Sequence, residues 1–350
     1  MKMDLERLAT EIIGGKRLSR ADNLEFFKTV DLDALTKGAD RIRRHFCGGK
    51  VDLCTIINAR SGKCPENCRY CAQSAHNNTS CEVYPFLDED KIVTEAKRNQ
   101  EEGVDRFALV TAGRALSGED FEKALSCYRR MKSELKINLC ASMGLLTREQ
   151  FRRLKEAGVT SYHNNIETSR RNFPNICTTH TFDMKIDTIK TAQEEGFCVC
   201  SGGIIGMGET FDDRIDMALT LSELKIRSIP INALMAIPGT PLENQPHLSE
   251  DEILRTLAMF RFVNPEANIR LAAGRKLLSE NGRRAFESGC SATITGNMLT
   301  TTGSTIEADK KMLSEMGRDV EPRYGTVCGD SCCGSSCGCD SGCGCDSTCA

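Results

Sequence analysis

Eight short apolar runs rich in β-branched residues alternate along the chain with amphipathic, charge-bearing stretches, and this repetition predicts an α/β chain of the (β/α)8, TIM-type barrel class. Two further observations agree. A chain of 350 residues with 40% hydrophobic content can fill the core of one such barrel. A cysteine-bearing loop also follows the first apolar run directly, and loops after strands form the active face of this class.

In order, residues 1–45 read as N-terminal helices that precede the barrel, and residues 46–318 as the barrel itself. Strands are expected at 51–58, 105–111, 136–142, 159–166, 197–205, 227–233, 268–273 and 290–295. Helices fill the gaps, as at 119–134 and 249–263, and a last one is expected near 304–318. Residues 319–350 read as a flexible tail. Its final 23 residues hold 8 of the 20 cysteines and no large apolar side chain, so they cannot build a core of their own. A flexible binder of thiophilic metal and a tolerated low-complexity extension both account for it.

A formal net charge of −3 argues against a nucleic-acid or membrane surface, and the basic run Arg41 to His45 reads as the solvated end of a helix. The first residues lack the apolar stretch of a signal peptide, and no apolar run is long enough to span a bilayer. A cytoplasmic protein is expected, in which cysteines serve as free thiols or as ligands of metals and clusters rather than as disulfides.

Cys64, Cys68 and Cys71 form a C-x3-C-x2-C loop. Structural zinc sites take four ligands, commonly as two C-x2-C pairs about a dozen or more residues apart, and no second pair follows here. Three thiols on a four-iron cubane leave one iron open to a small molecule. The loop therefore reads as a [4Fe-4S] site, with zinc or unligated thiols as the alternative.

The interior of an eight-stranded barrel is filled in layers contributed by alternate strands. The odd-numbered runs carry Cys54, Cys140, Cys200 and Arg270, which at similar depth would form a ring of three thiols and a guanidinium. Cysteine is often only core filling, so packing cysteines beside a salt-bridged arginine are the other reading. A buried arginine needs an anionic partner, which a thiolate-bound cluster would supply. Cys47, Cys81, Cys127, Cys177 and Cys290 have no partner at ligand spacing and are expected to be packing residues.

The segments CPENCRYCAQS (64–74), YHNNIETS (162–169), CSGGIIGMGET (200–210), PINALMAIPGTPL (230–242) and IRLAAGR (269–275), in this order, resemble the biotin synthase family of the radical S-adenosylmethionine superfamily. The resemblance covers about residues 40–315. It implies that Cys64, Cys68 and Cys71 hold a [4Fe-4S] cluster whose open iron chelates S-adenosylmethionine. It also implies that reductive cleavage gives a 5′-deoxyadenosyl radical, and that sulfur from an auxiliary iron–sulfur cluster closes the ring of biotin from dethiobiotin.

By the same resemblance Tyr70, Asn165 and Glu167 contact the S-adenosylmethionine, with Glu167 standing where the family has Asp. Asn165 and Asn232 contact the ureido ring of the substrate, and Thr300 and Thr301 its carboxylate. Cys140, Cys200 and Arg270 are auxiliary-cluster ligands, Arg270 being the catalytic candidate. The family's remaining ligand is a Cys that follows a Phe on strand two, but this chain reads Phe107-Ala108 there, and Cys54 on strand one is the replacement. The altered set favours a four-iron auxiliary cluster with one open iron over a [2Fe-2S] cluster.

A reducing donor of flavodoxin or ferredoxin type and an anaerobic host are expected, and a homodimer is admissible. Two other classes stay open. One is a related radical enzyme of the hydrogenase-maturation or methylornithine synthase kind, and the other is a non-enzymatic carrier of metal or clusters.

Overall fold

The computed structural model describes residues 3–296 and 303–325. Thr300, Thr301 and the cysteine-rich segment from Cys328 onward lie outside the described residues. Nine parallel strand segments form one sheet: β1 (Asp52–Arg60), β2 (Arg106–Thr111), β3 (Asn138–Ser142), β4 (Ser161–His163), β5 (Cys198–Cys200), β6 (Gly203–Ile205), β7 (Ser228–Ala233), β8 (Asn268–Leu271) and β9 (Ala292–Ile294). The order β5-β4-β3-β2-β1-β9-β8-β7-β6, with β5 also pairing β7, closes the sheet into a barrel.

Eight staves were expected and eight are present, because β5 and β6 are two halves of the fifth. The interruption lies between Cys200, paired with Ser228, and Gly203, paired with Ile231. Pro230 has no N–H to give to the ladder, so the gap falls opposite the residue that cannot fill it. Its carbonyl presses so close that a Cβ at Gly202 would lie 1.9 Å from the oxygen, and a Cβ at Gly203 would lie 2.3 Å from the Glu167 carbonyl. Only glycine fits at either position.

Helices cover the outside, among them Gly118–Glu134 and Glu250–Val263, the second opened by a capping box in which the side chains of Ser249 and Glu252 satisfy each other's backbone N–H. Phe107, Leu109, Leu139 and Tyr162 point outward from the strands into this helical layer and are buried. Their alternates point into the barrel, as a period of two requires. N-terminal helices Leu5–Ile13 and Leu32–Cys47 pack on the barrel's outside.

The run Arg41 to His45 is less solvated than expected. Arg43 is buried and paired with Asp40, its Nε donating at 2.7 Å. The last expected helix forms at Ile306–Glu315. Residues 319–325, expected as the start of the flexible tail, bond instead to the barrel bottom. The backbone of Arg323 donates to Asp105, that of Gly325 donates to Asn138, and Val51 donates to the Asp319 carbonyl.

Candidate active site

A cavity of about 370 Å³ runs down the barrel axis from the loop after β1. Tyr70 and Cys71 line its mouth, with Asn165, Glu167 and Asn232 around it, and Cys54, Cys140, Cys200, Arg106 and Arg270 line its depth. The strands supply these residues at alternate positions, such as Arg106, Ala108 and Val110 of β2.

The cysteine loop is held by its own backbone and by polar side chains, Asn77, Ser74 and Gln73 among them. The Cys64 N–H donates to the Gln73 carbonyl at 2.9 Å, the Ala75 N–H to the Cys64 carbonyl at 2.8 Å and the Cys71 N–H to the Cys68 carbonyl at 3.1 Å. Asn77 donates to the carbonyls of both Cys68 and Cys71, the Ser74 hydroxyl donates to the Glu66 carbonyl, and Gln73 accepts from Asn58 and from the Gly62 N–H. Burial raises the Cys64 thiol above its ordinary value and lifts Cys71 to about 11, so the bare loop is protonated near neutrality. Ligation must displace those protons.

At the mouth the polar groups are oriented by the fold. Burial pushes His163 down to about 4, so its ring is neutral. The Asn165 carbonyl oxygen faces His163 Nε2 at 2.9 Å, so that nitrogen carries the hydrogen, and Nδ1 then accepts from the Ser142 hydroxyl at 3.0 Å. Asn165 Oδ1 also accepts from the Gly202 N–H at 3.0 Å. With its oxygen doubly satisfied, Asn165 presents only its NH2 group to the cavity. Asn232 donates to the Gly203 carbonyl and accepts from the Ala273 N–H, each at 3.1 Å, which leaves one hydrogen and one lone pair. Both side chains are pre-set rather than free rotors.

Glu167 adopts a left-handed backbone (φ 69°), and its Oε2 is buried with no partner. An orphaned carboxylate oxygen beside Tyr70 suits a ligand that brings hydroxyl donors, as a ribose does. Burial raises the Tyr70 hydroxyl well above its ordinary range, with the charge of Glu167 adding to it.

Deeper in the barrel, Asp52 and Arg106 are residues that sequence reasoning missed. Arg270 donates to its carboxylate at 2.5 Å and to the Thr293 carbonyl at 2.8 Å, and Arg106 donates from Nε to the other carboxylate oxygen at 3.0 Å. The anionic partner that a buried Arg270 requires is therefore Asp52, and not a cluster alone. Asp52 was hidden because a single Asp at a strand start is an ordinary surface residue; only closure of β1 on β9 and β8 carries it under Arg270.

Asp52 does not balance the interior by itself. Lys50, Arg106 and Arg270 are three buried cations against two buried carboxylates, Asp52 and Asp105, so one positive charge is left over. Arg106 Nη1 is buried without a partner. Above them stand three thiols that sense one another and both guanidiniums. Burial raises Cys54 to about 12, raises Cys140 well above its usual range and raises Cys200, while Arg106 and Arg270 oppose the shift in each. Excess positive charge and an orphaned N–H beside three thiols fit an anionic, thiolate-bound occupant. Ala108 pairs with Cys140 on the neighbouring strand and lines the cavity with a methyl group where a thiol could have stood.

Cys177 is buried in the core cluster, as expected of a packing residue, and it also has polar neighbours that the sequence did not show. Its sulfur is 3.3 Å from His180 Nδ1, and the donor atoms of Cys68, Cys177 and His180 all lie within 4.8 Å of one another. The Cys177-x2-His180 spacing was the only sequence signal for this. Their approach to Cys68 comes from the turn after Phe173–Ile176, which lies against the cysteine loop through the Arg69 N–H to Ile176 carbonyl bond.

Comparison with known proteins agrees with this geometry. Residues 59–221 match the Radical SAM superfamily model and residues 230–319 the Biotin and Thiamin Synthesis associated domain. The chain is 60% identical over 315 residues to biotin synthase of Alkaliphilus metalliredigens, covering 90% of this chain and 99% of that protein. It is 59% identical over 316 residues to biotin synthase of Clostridium beijerinckii, covering 90% and 100%. Among solved structures, methylornithine synthase superposes with a TM-score of 0.77 at 19% identity, covering 91% of this chain and 97% of that one. The [FeFe]-hydrogenase maturase HydG superposes with a TM-score of 0.79 at 17% identity, covering 95% and 79%. These two share the fold, whereas the curated relatives share sequence along nearly the whole chain. The chain belongs to the biotin synthase family of radical S-adenosylmethionine enzymes.

Proposed function

We infer that this chain converts dethiobiotin to biotin by radical sulfur insertion, as the names of its relatives indicate. One observation carries the reading: a single cavity joins the three-cysteine loop to a second set of three thiols beside Arg106 and Arg270. Cys64, Cys68 and Cys71 would hold a [4Fe-4S] cluster and S-adenosylmethionine, which when bound supply the radical that activates unreactive C–H bonds.

The chain's own groups do the rest. Glu167 offers its unpaired oxygen to ribose hydroxyls, and Tyr70 covers the mouth beside it. Asn165 offers a locked NH2 to a carbonyl such as that of a ureido group, while Asn232 offers both a donor and an acceptor. Thr300 and Thr301 are proposed contacts of the substrate carboxylate. The walls keep water from the reacting carbons, being largely apolar through Ile56, Ala108, Val110 and Ile294.

For the second site we propose Cys54, Cys140 and Cys200 as ligands of an auxiliary cluster of the four-iron type, which serves as sulfur donor. Arg270 and Arg106 balance its negative charge. Three thiols and no fourth on β2 favour a cluster with one iron free of protein ligands over a [2Fe-2S] cluster. A flavodoxin- or ferredoxin-type donor, a homodimeric state and a cytoplasmic location belong to the same proposal.

Among the described residues no helix is long and apolar enough to cross a membrane. A carrier role would leave the nucleoside and ureido contacts without purpose.

The test is anaerobic incubation of reconstituted protein with dithionite, S-adenosylmethionine and dethiobiotin, scoring 5′-deoxyadenosine and biotin. Both products are expected. 5′-Deoxyadenosine without biotin would sink the substrate assignment, and neither product would favour a carrier. Iron and sulfide analysis of the Cys64/Cys68/Cys71 triple-alanine variant is expected to give four irons per chain at the inner site, after the metal content of the tail is subtracted; two would end the four-iron version.

A further inference from the structure

We propose that the cluster-free protein binds one thiophilic divalent cation, of the Fe²⁺ or Zn²⁺ class, between Cys68, Cys177 and His180, with Glu66 beside the imidazole. None of the roles assigned above uses Cys177, His180 or Glu66. Two of these residues come from the cysteine loop and its surroundings in sequence, Glu66 and Cys68, and two from the turn more than a hundred residues later, Cys177 and His180. The fold brings them together.

The donor set is the first argument. Two thiols and an imidazole are ligands of tetrahedral zinc and ferrous sites, which leave the fourth position to solvent and whose donor atoms stand about 3.5–3.8 Å apart. Cys177 Sγ lies 3.3 Å from His180 Nδ1, and all three of Cys68, Cys177 and His180 place a donor atom within 4.8 Å of the others. A small inward adjustment reaches tetrahedral spacing. The Glu66 carboxylate contacts His180 Nδ1 and accepts from the Thr179 hydroxyl at 2.6 Å, which holds an anionic oxygen against the imidazole.

Burial is the second argument. Cys177, His180 and Glu66 are each less than 10% exposed, so these are not the loose surface groups that cluster by chance. The Cys177 thiol donates to Asn67 Oδ1 at 3.3 Å, a bond that ligation would give up with the proton, and the Thr179 hydroxyl lies 3.4 Å from the same sulfur.

Sharing is the third. Cys68 cannot serve this cation and the loop cluster at once, so occupation of one excludes the other. That exclusion rests on the reading of Cys68 as a cluster ligand, whereas the cation site itself does not. The site would hold a metal on the loop only while the cluster is absent.

The test uses the full-length protein, stripped of clusters anaerobically, and Co²⁺ as the probe. Cysteines of the tail will also bind Co²⁺, but residues 328–350 contain no histidine, so imidazole ligation separates the two. Expected in the wild type is a hyperfine-shifted, exchangeable imidazole N–H resonance together with tetrahedral ligand-field bands. His180→Gln should abolish the resonance, and Cys177→Ser should weaken the histidine-linked binding by more than roughly tenfold. Titration with Fe²⁺ and Zn²⁺ against Co²⁺ ranks the occupants.

A wild-type protein with no such resonance would overturn the proposal without recourse to any variant, as would a resonance that persists in His180→Gln. One equivalent of Zn²⁺ at this site should slow reconstitution of the loop cluster in the wild type and not in Cys177→Ser. Histidine-linked binding with unslowed reconstitution would support the cation site and overturn the assignment of Cys68 to the cluster.

Discussion

The two sets of three cysteines are built in opposite ways. Cys64, Cys68 and Cys71 sit within eight residues of one another on a loop whose backbone bonds at the cysteines are made within the loop. Cys54, Cys140 and Cys200 come from β1, β3 and β5, and nothing but barrel closure brings them together. The first set is a local structure that the barrel carries, so it can be altered without touching the barrel's charge balance. The second is part of the barrel core, where each thiol shares its surroundings with Asp52, Arg106 and Arg270. Function can be lost in the first region without loss of stability, whereas in the second the two are tied.

The largest expected effect separates the two sets by product. Cys71→Ala should remove both 5′-deoxyadenosine and biotin, while Cys54→Ala should keep S-adenosylmethionine cleavage and lose biotin, as read by chromatography of anaerobic assays. Biotin formation by Cys54→Ala at the wild-type level would break the comparison, because Cys54 would then be packing.

Next is the charge network under the thiols. Asp52→Asn leaves Arg106 and Arg270 buried without their shared anion, and breaking a buried pair of this kind costs about 3–5 kcal/mol. Denaturant unfolding of the cluster-free protein should show that loss, whereas Cys71→Ala should unfold as the wild type does.

Acid should find the same network. Burial alone would raise the Asp52 carboxyl, but Arg106 and Arg270 outweigh it and hold the group at about 2, below its ordinary 3.8. A carboxyl held down in the fold stabilises fully above its ordinary value and loses that contribution as pH falls through the folded one. The urea midpoint of the wild type should therefore drop between 3.8 and about 2 by more than that of Asp52→Asn, which lacks the group. Equal slopes in the two proteins would show that Asp52 is not the anion that matters.

The smallest effect is a control outside both regions. Ser249→Ala removes the cap of Glu250–Val263 and should cost about 1 kcal/mol, with product formation unchanged.

Much of this was legible before the fold was known. The eight strands follow from apolar runs rich in β-branched residues, and the loop cysteines from spacing alone, because both signals are local. The inward set Cys54, Cys140, Cys200 and Arg270 followed from layer counting, and all four line one cavity. Asp52, Arg106 and the Cys177–His180 pair did not follow. Each belongs to an unremarkable residue type at its place in the chain, and its partner lies dozens to hundreds of residues away. Asn165 and Asn232 were legible as polar groups at strand ends, but their orientation was not, since it depends on His163, Gly202, Gly203 and Ala273.

Periodicity and cysteine spacing are short-range properties, so the order of residues alone was enough to specify the class of fold and the loop that carries three thiols, whereas the break in the fifth stave, expected as one run over 197–205, came only with its register against Pro230. Charge balance and donor orientation are sums over neighbours that are remote in the chain. Only the closed barrel decided that Arg270 would meet Asp52, that Arg106 would keep one N–H unpaired above it, and that Cys177 would come to rest beside Cys68, because only closure sets the distances on which Coulomb and hydrogen-bond energies depend.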